Sequence, residues 1–450
     1  MKKFITFTLC LLLCIATMGL SACGGSKNEK VDTSIATNGN GGMVVSRGDY
    51  VYFVNGYSSY STYTKDNLSK KFDIGGLYRA KLNSNGELSY TENGSVEGAE
   101  RISGNLAGFE TTSLYVFGNY IYYATPITEV NKKGELQTSQ LQINRVKIDG
   151  GKSQCVYQSK TDAESVDYEF YYADGRVYML INENGTLKRV NGFGEFSVSK
   201  IAEDVTSVAL HRDTDNVFES DSYKNIFYTK TNDDGKIEIY NYNIVSNKNE
   251  YKKVTDYETC ELIDYQFGHL YYKASRSEKP SYKYIYRIDA TKSAITSLAE
   301  EQITKTEYDN FYFLNNETSG YIAQTSDKTY YLTYNAGGEC EATPIADSKL
   351  EIMAIKNNYI YFNSSNTIKR INCYNFKVSG NNTQETIIEL ENLETHAYDI
   401  DANNLYVYAT KGENTYLYSI MVGNIIEGET VEAKLLGVYN KSDVKTSEEE

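Results

Sequence analysis

The sequence predicts an all-β fold built from repeated four-stranded units, and three observations support this prediction. The chain contains 43 tyrosines and no tryptophan, and many of the tyrosines fall in short aromatic phrases. These phrases recur along the chain, as in GDYVYFVNG from Gly48, GNYIYYATPI from Gly118 and NNYIYFNSS from Asn357. No segment carries helical spacing of apolar residues over more than two turns, so we expect strands throughout.

The first residues are predicted to form a secretory signal rather than part of the fold. Lys2 and Lys3 precede the apolar run FITFTLCLLLCIATMGL, which is typical of such a signal. The run ends in LSAC, which resembles the bacterial lipobox and implies removal of residues 1–22 and a diacylglyceryl group on Cys23. The alternative is an ordinary signal peptide with a chance cysteine. A lipid-anchored protein on the outer face of the cell membrane is therefore expected, since two acyl chains hold a protein stably.

Composition and charge divide the rest of the chain. Residues 23–42 are rich in Gly, Ser and Asn and predict a flexible tether, 43–440 form the predicted body, and 441–450 end in an acidic tail. No later stretch approaches the roughly 18 apolar residues that a membrane span requires. The formal net charge of −15 argues against nucleic acid as a partner, because nucleic-acid binding needs a basic footprint. The lipid at Cys23 is thus the expected membrane contact, and a monomer is expected.

The mature chain has few cysteines after Cys23, and none shows the CxxC spacing of a zinc or redox site. Two interpretations stay open: an exported protein can pair them, with three connectivities for four cysteines, or they are four small hydrophobes buried in strands. The four are Cys155, Cys260, Cys340 and Cys373.

The body repeats a unit whose internal order is steady. An apolar strand and a tight Gly, Asn or Asp turn come first, then the aromatic phrase, a loop, a third strand and a weaker fourth strand. Eight such units are marked by their aromatic phrases, which begin near Tyr50, Tyr120, Arg176, Asn225, His269, Gly320, Tyr359 and Asn404. Seven units are the alternative, because the irregular segment 196–224 can hold an extra hairpin or an inserted loop.

The strands of a unit differ in their patterning. The phrases NYIYYAT and LYVYAT are apolar on both faces, which predicts strands covered on both sides. The third strands LYRAKLN and INRVKID alternate, which places Arg79, Lys81, Arg145 and Lys147 on a half-exposed face. Buried inner strands and wetter outer ones are typical of the blades of a β-propeller. We therefore predict a single propeller of about eight four-stranded antiparallel blades.

Phrases such as IYYATP and IFYTKT, followed by LYRAKLN or RVKIDGG, resemble the YWTD-type propeller repeats of the low-density-lipoprotein-receptor group. They are more similar still to the bacterial domain of unknown function DUF5050, which is common in secreted lipoproteins of Gram-positive bacteria. Tyr or Phe stands where the Trp of YWTD would be, and eight units are counted where the receptor propellers have six blades. The resemblance implies the fold, and its receptor members bind protein ligands.

Catalytic motifs are absent from the sequence: it has no HExxH, P-loop, GxSxG or GxGxxG opening a helix. We predict no catalytic residue, metal or cofactor. His211, His269 and His396 lie in different units and are interpreted as turn or rim residues. The segments DTDN (213–216) and DIDANN (399–404) resemble the start of a calcium loop but lack its glycine and distal Glu, so turn residues are expected there.

Loop length gives the candidate binding site. The connections 55–76 and 125–140 are long, join second to third strands of consecutive units, and are expected side by side on one face. The first carries Tyr57, Tyr60 and Tyr63, and the fifth unit adds Arg276 and Tyr282 on the same face. The alternative is a variable insertion without function.

The sequence thus favours a non-catalytic module that binds a protein, peptide or glycan at the cell envelope. Two alternatives stay open. One is a propeller glycosidase or lyase that uses channel carboxylates, and the other is a scaffold in envelope assembly.

Overall fold

Eight antiparallel sheets follow one another along the chain, and each is built on four strands in chain order; the first and last sheets each gain one further short strand. The structure is a computed structural model that describes residues 31–58, 75–107, 113–130, 136–161, 166–209, 224–290, 300–314, 320–335, 339–390, 394–401, 403–411, 414–423, 425 and 431–438. The sheets are the blades of an eight-bladed β-propeller, numbered here 1 to 8 in chain order. This confirms the predicted fold class and decides between seven and eight blades.

The first strands are β2 (Val44–Arg47), β7 (Tyr115–Phe117), β11 (Val166–Ala173), β15 (Val205–Ala209), β19 (Tyr257–Gln266), β23 (Asn310–Phe313), β27 (Glu351–Lys356) and β31 (Glu394–Ile400). The second strands are β3 (Tyr50–Val54), β8 (Tyr120–Val130), β12 (Arg176–Glu183), β16 (Asn225–Thr231), β20 (His269–Arg276), β24 (Tyr321–Gln324), β28 (Tyr359–Ser364) and β32 (Asn404–Lys411). The second strands begin at or within one residue of the predicted phrase starts.

The third strands are β5 (Gly76–Lys81), β9 (Leu136–Lys147), β13 (Thr186–Asn191), β17 (Ile237–Asn243), β21 (Lys279–Asp289), β25 (Thr329–Thr333), β29 (Thr367–Asn372) and β33 (Asn414–Met421). The fourth strands are β6 (Glu100–Leu106), β10 (Gln154–Gln158), β14 (Val198–Ala202), β18 (Lys248–Val254), β22 (Glu300–Gln302), β26 (Glu341–Ala346), β30 (Glu385–Glu389) and β34 (Ala433–Leu435). Two short strands, β1 (Thr37–Asn38) and β4 (Tyr57–Ser58), lie outside this scheme.

The first strands converge on the axis of the ring. The backbones of β15 and β19 lie close together, as do those of β27 and β31, whereas the fourth strands are the most exposed. The second strands are buried on both sides, and apolar clusters fill the space between neighbouring sheets. The irregular segment 196–224 supplies only β14 to blade 3 and β15 to blade 4 among its described residues.

The connections divide between the two faces of the ring. The turn face carries the links from first to second strand and from third to fourth strand, and the loop face carries the links from second to third strand and between blades. Tight turns on the turn face include residues 48–49, 118–119, 174–175 and 357–358. Asp174 and Gly175 have φ of 53° and 75°, the left-handed conformation of a type I′ turn. The predicted hairpin turns are therefore present at these positions.

A cross-strand triplet recurs in four blades and uses the tyrosines of the aromatic phrase. A second-strand tyrosine lies opposite a third-strand arginine, whose Nε donates to a fourth-strand side chain at 2.7 to 3.1 Å. The triplets are Tyr52, Arg79 and Glu100; Tyr122, Arg145 and Gln154; Tyr271, Arg287 and Glu301; Tyr361, Arg370 and Glu385. Such lateral pairs are the unit of sheet stabilisation, so many phrase tyrosines serve packing within the blades.

Arg145 departs from the predicted half-exposed face of the third strands. Its side chain is 1% exposed, and its guanidinium lies 4.0 Å from the ring centre of Tyr120 and 4.6 Å from that of Phe196. A desolvated cation–π contact contributes about 2 kcal/mol. Burial of this arginine is possible because two aromatic rings and Gln154 replace the water that would otherwise surround it.

The ring closes between blade 8 and blade 1. The side-chain amide of Asn55 donates to the carbonyl oxygen of Val438 at 2.9 Å and accepts from its N–H at 2.9 Å. The strand β4 leaves blade 1 and pairs with β33 of blade 8, with Tyr57 opposite Thr415. Apolar side chains of both blades, including Phe53 and Leu417, pack in one cluster. Closure thus combines backbone pairing with a shared core.

The one helix among the described residues, α1 (Cys373–Ser379), links the third and fourth strands of blade 7. No helix in the described part of the chain has the length and apolar character that a bilayer crossing requires. The four cysteines are free thiols, with Cys260 and Cys373 buried and Cys155 exposed. Burial raises the pKa of the Cys373 thiol to about 12. The free thiols do not support the disulfide interpretation.

Residues 31–42 belong to the packed body rather than to the predicted tether. Their short strand β1 pairs with β2, the first strand of blade 1. The Asn40 amide donates to the carbonyl oxygen of Val116 in blade 2 at 3.0 Å and accepts from its N–H at 2.7 Å. The N–H of Met43 donates to Asp399 of blade 8 at 2.7 Å. Residues 23–30 and 441–450 lie outside the described residues.

An ion pair of blade 3 that also contacts Tyr157 of blade 2 predicts one pH response. Glu183 accepts from Lys188, from the hydroxyl of Tyr157 at 2.7 Å and from the N–H of Thr161 at 2.9 Å. Burial by itself raises the pKa of Glu183, but these hydrogen bonds outweigh it and lower the pKa from 4.5 to about 2. A lowered folded-state pKa contributes stability above the unfolded value, and this is lost as pH falls towards the folded value.

We therefore expect the stability difference between the wild type and Glu183→Gln to shrink as pH falls from about 5 to about 2. Denaturant unfolding at a series of pH values measures this difference. A difference that stays constant or grows over that interval would contradict the assignment of the shift to Glu183.

Candidate functional site

Arg276 ends β20 and Tyr282 lies near the start of β21, so both are at the loop-face end of this hairpin of blade 5. The Tyr282 side chain is 52% exposed and its ring lies parallel to that of Tyr284, with 6.1 Å between ring centres. The Arg276 guanidinium lies 5.5 Å from the ring centre of Tyr286 and 5.7 Å from that of Tyr257. This end of the hairpin therefore carries tyrosine rings and the Arg276 guanidinium, with Lys279 and Lys283 in the same stretch of sequence.

Arg276 is held by a buried carboxylate. Its guanidinium donates to Glu300, which also accepts from the hydroxyl of Tyr272 at 2.7 Å and from Nζ of Lys253 in blade 4 at 3.2 Å. Burial by itself raises the pKa of Glu300, but the hydroxyls of Tyr257 and Tyr272 and the Lys253 charge outweigh it and lower the pKa. The arginine predicted to bind ligand is thus already engaged in joining blades 4 and 5.

The loop of blade 1 begins differently from its prediction. Tyr57 starts β4, which runs to blade 8, whereas the prediction placed this loop beside that of blade 2. The side chain of Tyr57, together with Tyr60 and Tyr63, lies outside the described residues. The segment 125–140 of blade 2 is for the most part a continuation of the hairpin, because β8 extends to Val130 and β9 begins at Leu136. The prediction of a long loop was therefore wrong for the paired residues of this segment.

The N-terminal segment covers one side of the channel. Residues 31–43 contact the first strands or turns of blades 8, 1, 2 and 3 through Asp399, β2, Val116 and Gly175. The described first strands of blades 5 and 6 have no such cover from this segment. Among the described residues, this segment therefore lies on the side of blades 8, 1, 2 and 3.

A cleft of about 310 Å³ opens between blades 5 and 6, where the described residues of this segment make no backbone hydrogen bond. Its volume is at the lower end of the roughly 300–1,000 Å³ that is typical of small-molecule sites. It is lined by Glu261, Leu262, Ile263, Lys273, Ile285, Tyr308, Asp309, Asn310, Phe311 and Tyr312. These residues come from β19, β20 and β21 of blade 5 and from the entry to β23 of blade 6. The cleft is the candidate functional site.

The polar groups of the cleft are few and carry both signs of charge. Lys273 Nζ donates to the carbonyl oxygen of Tyr308 at 2.7 Å, which ties blade 5 to blade 6. Asp309 lies 3.6 Å from Nζ of Lys349, a partly exposed pair, and Glu261 is exposed. Phe311 supplies a half-buried aromatic wall. Such a mixture can hydrogen-bond a small polar group while an aromatic ring packs against it.

Among the described residues, His269 and the 399–404 segment take part in turns and contacts between blades. His269 lies beside the 267–268 turn, with Nδ1 3.0 Å from the carbonyl oxygen of Phe267. Asp399 accepts from Met43, and Asp401 Oδ1 accepts from the N–H of Asn404 at 2.7 Å, so both act as turn and contact residues. Across the described ranges no three His, Cys, Asp or Glu side chains cluster as a metal site. His211 and residues 213–216 lie outside the described residues, as does the His396 side chain.

The cleft residues could not be predicted from the sequence because they are not contiguous. Glu261 and Lys273 are strand residues of blade 5, and Asp309 lies more than thirty positions further along the chain. The segment EYDNFYF (307–313) joins carboxylates to aromatic residues, which was the one local indication. Only the meeting of two blades turns this composition into a cleft.

No family model and no curated protein matches the chain. Similar solved structures include the β-propeller domain of the Trilobed protease from Pyrococcus furiosus, at 12% identity and a TM-score of 0.41, covering 73% of this chain and 97% of that one. A puromycin-hydrolyzing peptidase from Mycobacterium tuberculosis is similar at 9% identity and a TM-score of 0.43, covering 74% of this chain and 53% of that one. Pyrococcus horikoshii acylaminoacyl peptidase follows at 12% identity and a TM-score of 0.42, covering 74% and 54%.

Proposed function

We propose that this protein is a lipid-anchored, extracytoplasmic β-propeller of the DUF5050 type, with repeats similar to the YWTD propellers. It binds a protein, peptide or glycan of the cell envelope without chemical turnover. The lipid at Cys23 places it on the outer face of the cell membrane. The lipobox, the repeat phrases and the missing catalytic motifs support this proposal.

The observation that carries the binding role is the cleft between blades 5 and 6. It combines exposed Glu261, the ammonium of Lys273 and the aromatic wall of Phe311 at the contact of two blades. A single sugar ring, or one side chain or terminus of a peptide, has the size and the hydrogen-bonding groups for such a site. Elsewhere, burial by itself raises the pKa values of Glu183, Glu238 and Glu300, but hydrogen bonds and ion pairs inside or between blades outweigh it and lower them, which favours a structural use of these carboxylates.

The test compares capture of envelope ligands by the wild type and by cleft variants. The purified chain is presented to a glycan array and to envelope extract, and binding of each captured ligand is then measured by calorimetry. We expect Glu261→Gln and Lys273→Met each to weaken binding about tenfold or more, since loss of one central contact costs about 1.4 kcal/mol or more.

The matched control is Glu250→Gln, an exposed glutamate on the outer strand β18, which should leave binding unchanged. Equal binding by wild type and both cleft variants would contradict the assignment of the site to the cleft. Product release from a captured glycan would overturn the non-catalytic role in favour of the glycosidase or lyase alternative.

A further inference from the structure

The N-terminal segment enters the ring from the turn face. The N–H of Val31 donates to the carbonyl oxygen of Gly175, in the turn between β11 and β12, at 3.3 Å. The carbonyl oxygen of Ala36 accepts from the N–H of Gly48, in the turn between β2 and β3, at 3.2 Å. From there β1 runs antiparallel to β2 towards the loop face. Whatever precedes Val31 therefore joins the body at the turn face.

The chain between the expected lipid site and this entry point is short. Val31 is eight residues after Cys23, and an extended chain spans at most about 3.6 Å per residue, or about 29 Å in all. A propeller tethered over this distance at one face cannot turn its opposite face to the bilayer without the tether passing around the rim. The tether length thus limits how the body can be oriented.

Exposed apolar side chains are concentrated on the same face. Eight large hydrophobic side chains are exposed among the described residues, and only Val254 and Tyr282 of these lie on the loop face. The six on the turn face are Ile35, Val198, Phe267, Tyr374, Val378 and Met421. Tyr374 and Val378 project from α1 and are 62% and 68% exposed. Tyrosine and aliphatic side chains of this kind suit the headgroup region of a bilayer.

We propose that the turn face rests against the outer leaflet of the membrane, and that the loop face is directed away from it. This inference rests on the lipid anchor of the proposed function. The occupant of the turn face is the lipid surface that holds the anchor, because the entry point and the short reach to Cys23 bring that surface to this face. Asp309 and Asn310 lie at the loop-face end of β23, so the cleft presents this wall to ligands arriving from outside the cell.

The chain contains no tryptophan, so the fluorescence of one introduced tryptophan reports on its position alone. Single-tryptophan variants Tyr374→Trp and Phe267→Trp report on the turn face, and Tyr282→Trp is the matched control on the loop face. Each full chain is produced with its lipid, purified from membranes and added to preformed phosphatidylcholine vesicles that carry bromine atoms on their acyl chains. Bromine quenches tryptophan fluorescence at short range, so the quenching measures proximity to lipid.

We expect quenching of both turn-face tryptophans to be at least about twofold greater than that of the Tyr282→Trp chain. Equal quenching at all three positions, or greater quenching at position 282, would overturn the orientation. Flotation of the chain with the vesicles, and its loss in Cys23→Ala, is measured in parallel. A wild-type chain that does not float with vesicles would overturn the lipid anchor itself, and that result is distinguishable from a floating chain with the wrong quenching pattern.

Discussion

Replacing Glu300 by glutamine is expected to lower the free energy of unfolding by about 3–5 kcal/mol, because it leaves a buried cation without its counter-charge. Lys253 is 3% exposed and lies 3.2 Å from the Glu300 carboxylate. The same carboxylate accepts from Tyr257, Tyr272 and Arg276. Glutamine keeps the shape and one acceptor oxygen but removes the charge. Denaturant unfolding of the purified variant and wild type measures the change.

The control for this prediction is Glu203→Gln. Glu203 pairs with Lys200 at 2.6 Å, but both side chains are more than half exposed, and such surface pairs contribute about 0–1 kcal/mol. If the two substitutions lower the free energy of unfolding equally, the Glu300 cluster does not stabilise the contact of blades 4 and 5. A double variant, Glu300→Leu with Lys253→Met, should recover part of the loss, because it removes both buried charges together.

Replacing Gly56 by alanine is expected to weaken the closure of the ring. Gly56 has a φ of +61° and lies where the chain leaves β3 for β4, and a Cβ there would collide with the backbone carbonyl oxygen of Thr415 in blade 8. A non-glycine residue in this conformation costs roughly 1–3 kcal/mol, and overpacking against a fixed backbone costs about 1–3 kcal/mol more. We expect a loss of roughly 2–6 kcal/mol in the free energy of unfolding.

Gly86→Ala separates the cost of the backbone conformation from the cost of the steric collision. Gly86 has a φ of +77°, yet a Cβ there would meet no atom within 4 Å, so only the backbone cost applies. Hydrogen exchange adds a local readout, since protection of the Thr415 amide region should fall in Gly56→Ala and not in Gly86→Ala. Similar losses in both variants would indicate that the contact of β4 with β33 is not required for closure.

The order of strands within a blade was predictable because its causes are local. A period-two aromatic phrase such as YIYYA buries both faces of a strand, and a Gly-Asn or Asp-Gly pair before it adopts the left-handed conformation that a hairpin turn needs. The second strands accordingly begin where the phrases begin, as at Tyr50, Tyr120 and Tyr359. Neither cause depends on the rest of the molecule.

The burial of individual polar residues was not predictable. Arg145 and Lys147 alternate in the same way as Arg79 and Lys81. Both lysines are exposed, yet Arg145 is fully buried whereas Arg79 is only half-buried. The difference comes from Phe193 and Phe196 of blade 3, which lie within 5.2 Å of the Arg145 guanidinium. Similarly, the loop around Arg276 has the composition of a ligand-binding loop. In the fold, however, Glu300 of β22 accepts hydrogen bonds from Arg276 and from Lys253 of β18.

By itself the sequence determined the all-β class, the repeat and the turn positions, because strand pairing between consecutive segments depends on nearby residues. Only the tertiary structure decided that there are eight blades, that residues 31–42 line the channel, and that a cleft opens between blades 5 and 6. A Gly- and Asn-rich segment has little apolar surface to indicate burial. Its amide groups find partners such as Val116 only once the ring has formed around it.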